Sequence, residues 1–126
     1  MVRSETAPLL GRRILVVEDE FFLAQEMSAS LRALGAEVVG PLPSHRAALA
    51  ELNGGARVDA AVLDVNLGVG SVFPLAQALR ERHVPFVLST GYGQGALEAY
   101  GAVARWQKPF DSDALARALP AIILAS

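Results

Sequence analysis

Cysteine is absent from this 126-residue chain. That excludes a disulfide framework and a thiolate metal site, and it is compatible with a reducing cytoplasm, which is the expected location. An excess of one charge sign is also missing. Eleven Lys and Arg stand against 13 Asp and Glu, for a formal net charge of -2. Nucleic acid and anionic membranes select clustered basic residues, so neither is an expected partner. No apolar run approaches the roughly 20 residues needed to span a bilayer, and Met1–Gly11 has no long apolar core of a secretory signal. The two histidines, His45 and His83, have no second ligand at metal spacing. They are expected at the surface near helix ends, with no assigned role. No Gly-x-Gly-x-x-Gly follows the first apolar run, which removes the dinucleotide-binding fingerprint.

What is present is a hydrophobic fraction of 52%, enough for one sizeable core in a single domain. Residues 1–11 are expected to be a flexible tail and 12–126 the domain. Arg12–Val17 is a short β-branched run that stops at acidic residues, as a buried strand does. From Glu20 the pattern changes: Phe22, Leu23, Met27, Leu31 and Leu34 recur at helical spacing, and Gly35 supplies the stop. Ala36–Gly40 is a second strand, with Pro41 and Pro43 at its exit. Ser44 is placed to cap a helix through Leu52. Val58–Leu63 is almost wholly apolar, as a central strand covered on both faces must be. A helix over 71–82, a strand over 84–89, a short helix over 96–100 and a strand over 102–107 follow. The last helix is capped by Asp111 or Ser112 and runs to about Leu124.

Strand and helix therefore alternate five times. That order predicts an α/β fold, a flavodoxin-like (βα)5 doubly wound sandwich whose five-stranded parallel sheet has the order 2-1-3-4-5. In such sheets ligands sit outside the carboxyl ends of the strands. The strands present there, in turn, Glu18, Asp19 and Glu20; Asp64; Ser89 and Thr90; and Lys108. Carboxylates packed together repel one another, and a divalent cation relieves the repulsion. Oxygen-only ligands favour a hard ion such as Mg²⁺, which leaves positions open for phosphate oxygens. A Lys and a Thr at the same rim supply the cation and hydrogen-bond donor that a transferred phosphoryl group needs.

Val16-Val17-Glu18-Asp19-Glu20, Val62-Leu63-Asp64-Val65-Asn66, Leu88-Ser89-Thr90-Gly91 and Lys108-Pro109-Phe110 together resemble the receiver domain of bacterial response regulators. The resemblance extends to the subgroup found alone or at the end of hybrid histidine kinases. It implies that Asp64 is the phosphoacceptor, that Asp19 binds Mg²⁺ directly, and that Glu18 acts largely through water. It also implies that Asn66 gives its backbone carbonyl to the metal, that Thr90 bonds the phosphoryl group, and that Lys108 pairs with a phosphoryl oxygen. Pro109 is expected to hold the next turn through a cis peptide bond.

The implied partners are a histidine kinase or a histidine phosphotransfer protein and a downstream protein, and a homodimer is compatible with them. The chain departs from the family at the switch position, where receivers often carry Tyr or Phe and this sequence has Arg105. Two other readings are weighed. A Mg²⁺-dependent aspartyl-phosphate phosphatase needs a second acid two residues after the nucleophile, where Asn66 stands. A pseudo-receiver that binds its partner without phosphorylation draws support from Arg105 alone.

Overall fold

The structure is a computed structural model that describes residues 7–66, 71–91 and 104–125. In chain order it has β1 (Arg13–Val17), α1 (Phe21–Ala33), β2 (Glu37–Leu42), α2 (His45–Asn53), β3 (Ala60–Asp64), α3 (Phe73–Glu81), β4 (Phe86–Thr90), β5 (Arg105–Gln107) and α4 (Ser112–Ala125). The strands form one sheet of order β2-β1-β3-β4-β5, and every pairing is parallel. This is the expected flavodoxin-like arrangement. The short helix expected over 96–100 and the first residues of the last expected strand lie outside the described residues, as do Tyr92 and Tyr100.

Alternation along the strands divides the core into two layers. Leu15 and Val17 of β1, with Ala61 and Leu63 of β3, pack under α2 and α3 against Leu52, Leu75 and Leu79. Ile14 and Val16, with Ala60 and Val62, pack against Met27, Leu31, Leu115 and Leu119 of α1 and α4. Both faces of β3 and β4 are thus covered, and all five residues of each are buried. This is why those strands are continuous apolar runs rather than alternating ones.

Three local expectations are corrected. The N-terminal stretch does not run free up to Gly11: Leu9 is fully buried in the α1–α4 layer, and its N–H donates 2.8 Å to the Leu34 carbonyl. Gly35, at φ +96°, permits this docking, since a Cβ there would meet the Leu10 backbone at 3.0 Å. The second strand does not end at Gly40 but continues through Pro41 to Leu42. β2 is an edge strand with one side unpaired, so a residue without an N–H is tolerated there. Phe22, expected on the buried face of α1, is 79% exposed, because the inward row runs Ala24, Met27, Ser28 and Leu31.

The caps divide similarly. Ser44 caps α2 as expected, its Oγ accepting the Ala47 N–H at 3.0 Å. Of the two candidates for α4, Asp111 does the work, its carboxylate accepting the Asp113 N–H at 2.9 Å.

Candidate functional site

The parallel sheet places the ends of β1, β3, β4 and β5 side by side. Val17 pairs with Leu63, Asp64 with Ser89, and Thr90 with Gln107. The residues at or just beyond these strand ends therefore share one rim. The sequence-predicted set arrives together: one carboxylate oxygen from each of Glu18, Asp19 and Asp64 lies within 4.8 Å of the others. They border an open cleft of about 410 Å³ lined by Asp19, Glu20, Asp64, Asn66, Gly91 and Lys108. Asp19 is exposed to solvent, whereas Glu18 and Asp64 are buried.

Asp64 is held through both carboxylate oxygens. Its Oδ1 accepts the Asn66 N–H at 3.0 Å, an Asx turn that ends the strand, and its Oδ2 lies 3.1 Å from Lys108 Nζ. Lys108 serves three acids at once, with Nζ also 3.2 Å from Glu18 Oε1 and 3.5 Å from Glu20 Oε2. It reaches them from the residue after β5, where its N–H donates 2.8 Å to the Thr90 carbonyl. The Lys108–Pro109 peptide bond is cis, as expected. Thr90 is buried at the end of β4.

The charges perturb one another. Burial pushes the Glu18 carboxyl from 4.5 up to about 7. The Glu20 N–H opposes this rise, the Asp64 carboxylate adds to it, and Lys108 opposes it, without cancelling the effect of burial. Burial works against the Lys108 ammonium too, but hydrogen bonds and charge from Asp64 and Glu18 outweigh it and hold its pKa above the ordinary lysine value. The site thus concentrates negative charge beyond what one ammonium neutralises, in a cleft open to solvent. Oxygen donors with no Cys or His in the cluster suit a hard divalent cation.

Arg105 opens β5 opposite Leu88 and is exposed. Trp106 turns the other way and packs on the α1–α4 layer, its ring centroid 6.2 Å from that of Phe110. The loop residues Leu67–Gly70 lie outside the described residues.

One contact was not legible in the sequence. His45, expected as a surface residue without a role, is half-buried at the start of α2. Its Nε2 lies 2.7 Å from the backbone carbonyl of Asp64. The partners are 19 residues apart and on different elements, so no periodicity or spacing announces the pair.

No family model matches the chain. Among curated proteins it is 32% identical over 124 residues to the transcriptional regulatory protein PdtaR of Mycobacterium tuberculosis, in an alignment covering 90% of this chain. The chain spans 56% of that relative's length. Among solved structures it is similar to SdrG from Sphingomonas melonis Fr1, with 38% identity, a TM-score of 0.75, and coverage of 90% of this chain and 96% of that one. It is also similar to a response regulator receiver protein from Sinorhizobium medicae WSM419, with 25% identity, a TM-score of 0.82, and coverage of 90% and 95%. With the sheet order and the clustered acids already established, these likenesses place the chain in the family of response regulator receiver domains.

Proposed function

We propose that Asp64 accepts a phosphoryl group from a phosphohistidine on a histidine kinase or histidine phosphotransfer protein, in a Mg²⁺-dependent reaction, and that the change switches protein–protein contacts in the cytoplasm. The observation that supports this most is the pairing of Asp64 Oδ2 with Lys108 Nζ at 3.1 Å beside two further carboxylates, at the mouth of an open cleft. Glu18, Asp19, Asp64 and the Asn66 backbone carbonyl would hold the ion. Bound there, Mg²⁺ supplies positive charge that lets an anionic acceptor meet an anionic donor.

The chain's own groups do the rest. An Asp64 carboxylate oxygen forms the new O–P bond as the donor's N–P bond breaks. The ring nitrogen keeps the bonding pair, and with the ring's other nitrogen protonated the imidazole departs neutral. Lys108 already faces Asp64 and would bond one phosphoryl oxygen. The Thr90 hydroxyl would donate to another, and Thr90 with Arg105 forms the switch position. The domain acts as a signalling module that catalyses only its own phosphorylation and dephosphorylation.

Arg105 favours a second reading, a module that binds its partner without phosphorylation. An exposed guanidinium at that place does not bury as a phenyl ring does. One experiment decides between the two. The protein is incubated with Mg²⁺ and acetyl phosphate, and its intact mass is recorded. A single phosphoryl adduct on the wild type, absent from Asp64→Ala and without Mg²⁺, is the expected result. No adduct on the wild type would favour the second reading.

A further inference from the structure

The contact between His45 and Asp64 has no part in the chemistry above. Asp64 is the last residue of β3, one beyond the Val17–Leu63 pair that ends the register with β1. Its backbone carbonyl lies 2.7 Å from His45 Nε2. A carbonyl only accepts, so the imidazole donates. The ring stands on a fixed base: His45 is the first residue of α2, the Ser44 cap closes that turn, and Ala48 and Leu52 seat the helix in the core. A continuous path of packed and hydrogen-bonded groups therefore runs from the core through α2 to the main chain of the acceptor.

Beyond the sheet pairing with Ser89, three contacts of Asp64 differ in kind. The Asn66 N–H and the Lys108 ammonium bind the carboxylate oxygens themselves. Those oxygens change character when one of them becomes an ester to phosphorus. The His45 bond engages only the main chain, so it is available to both states of the carboxylate. We propose that His45 is a positioning residue for phosphoryl acceptance: its Nε2–H fixes the Asp64 backbone and so sets the line along which the carboxylate meets phosphorus. This rests on the reading of Asp64 as the phosphoacceptor. Misplacing a reacting group by a fraction of an ångström slows the chemical step more than it weakens binding of the donor.

The test follows the rate of adduct formation on the full chain at saturating Mg²⁺, as acetyl phosphate is varied, by intact mass. Wild type is compared with His45→Phe, which keeps a ring and removes the donor, and with His45→Gln, which keeps an N–H at similar reach. Thermal unfolding of each is recorded alongside. His45→Phe is expected to lower the maximal rate about tenfold while the half-saturating acetyl phosphate stays within about twofold of wild type. His45→Gln is expected to recover most of the rate.

A merely structural histidine would shift the melting temperature without separating Phe from Gln in rate. Equal maximal rates for wild type and His45→Phe, or a Gln variant as slow as the Phe variant, overturn the proposal. Should His45→Phe not fold, a Gln variant that folds and reacts about tenfold slower than wild type overturns it, and one near the wild-type rate supports it. A wild type that takes no phosphoryl group at all overturns the reading of Asp64 itself, a distinct result.

Discussion

Replacing Glu18 by Gln should stabilise the metal-free protein at neutral and alkaline pH. Glu18 is 7% exposed beside the Asp64 carboxylate, and its pKa rises from 4.5 to about 7. An acid whose pKa is higher folded than unfolded holds its proton more tightly in the native state. Between those two values the native chain binds more protons than the unfolded one, so stability falls as pH rises from about 4.5 to about 7. At about 1.4 kcal/mol per pH unit the full effect is about 3 kcal/mol. Gln cannot ionise and keeps an acceptor for Lys108 and the Glu20 N–H.

The stability difference between Glu18→Gln and wild type should therefore move by about 2 to 3 kcal/mol in favour of the variant between pH 5 and pH 8. For a domain of this size that is a relative shift of about 10 °C in melting temperature. Chelator-treated protein, unfolded by urea at both pH values, gives the two differences directly. A difference that does not change with pH, or one that moves against the variant, would refute the reasoning.

The other predictions concern the same charges and the corrected N-terminus. Mg²⁺ affinity, measured by calorimetry, should weaken as pH falls below about 7, because the proton on Glu18 must leave before the carboxylate is available. An affinity independent of pH between 5.5 and 8 would count against Glu18 in the site. Lys108→Met leaves buried Glu18 and Asp64 without their shared cation and should cost about 2 kcal/mol at pH 8 in metal-free protein. Saturating Mg²⁺ should recover part of that loss, and urea unfolding with and without the ion checks it. Leu9→Ala should cost about 2 to 4 kcal/mol, as for a fully buried core leucine and unlike a residue in a free tail.

What could be foreseen follows from where the governing forces act. β3 and β4 are buried on both faces, so burial itself writes Ala60–Leu63 and Phe86–Leu88 as apolar runs, and their ends are visible as the first polar residue. Once those ends are known, a parallel sheet leaves little freedom in what meets at its rim. The sequence alone therefore groups Asp19, Asp64 and Lys108.

Features that depend on a single distant contact leave no such trace. Leu9 lies beside Leu10 in a short segment with no strand or helix pattern, and only its docking against Leu34 and Gly35 reveals Leu9 as core while Leu10 is exposed. Strand β2 runs through Gly40 and Pro41, residues that ordinarily end a strand, because it lies at the sheet edge. Gly40 adopts φ +109°, where a Cβ would strike the Leu42 nitrogen at 2.7 Å and the Val16 carbonyl at 2.9 Å. Phe22 faces solvent because it stands one residue before Leu23, off the four-residue row of Leu23, Met27 and Leu31 that turns inward, so an apolar residue near that row is not thereby on it. His45 belongs with these, a side chain whose partner is a main-chain oxygen and carries no residue-type signature.

Chemical identification of the modified side chain tests the central claim most directly. Protein treated with Mg²⁺ and acetyl phosphate is reduced with borohydride, which converts an aspartyl phosphate to homoserine, then digested and mapped by mass spectrometry. Homoserine at position 64, in the peptide spanning Val62–Asn66, is the predicted result. Conversion at another aspartate with Asp64 intact, or no conversion while the Mg²⁺ site is filled, would contradict it.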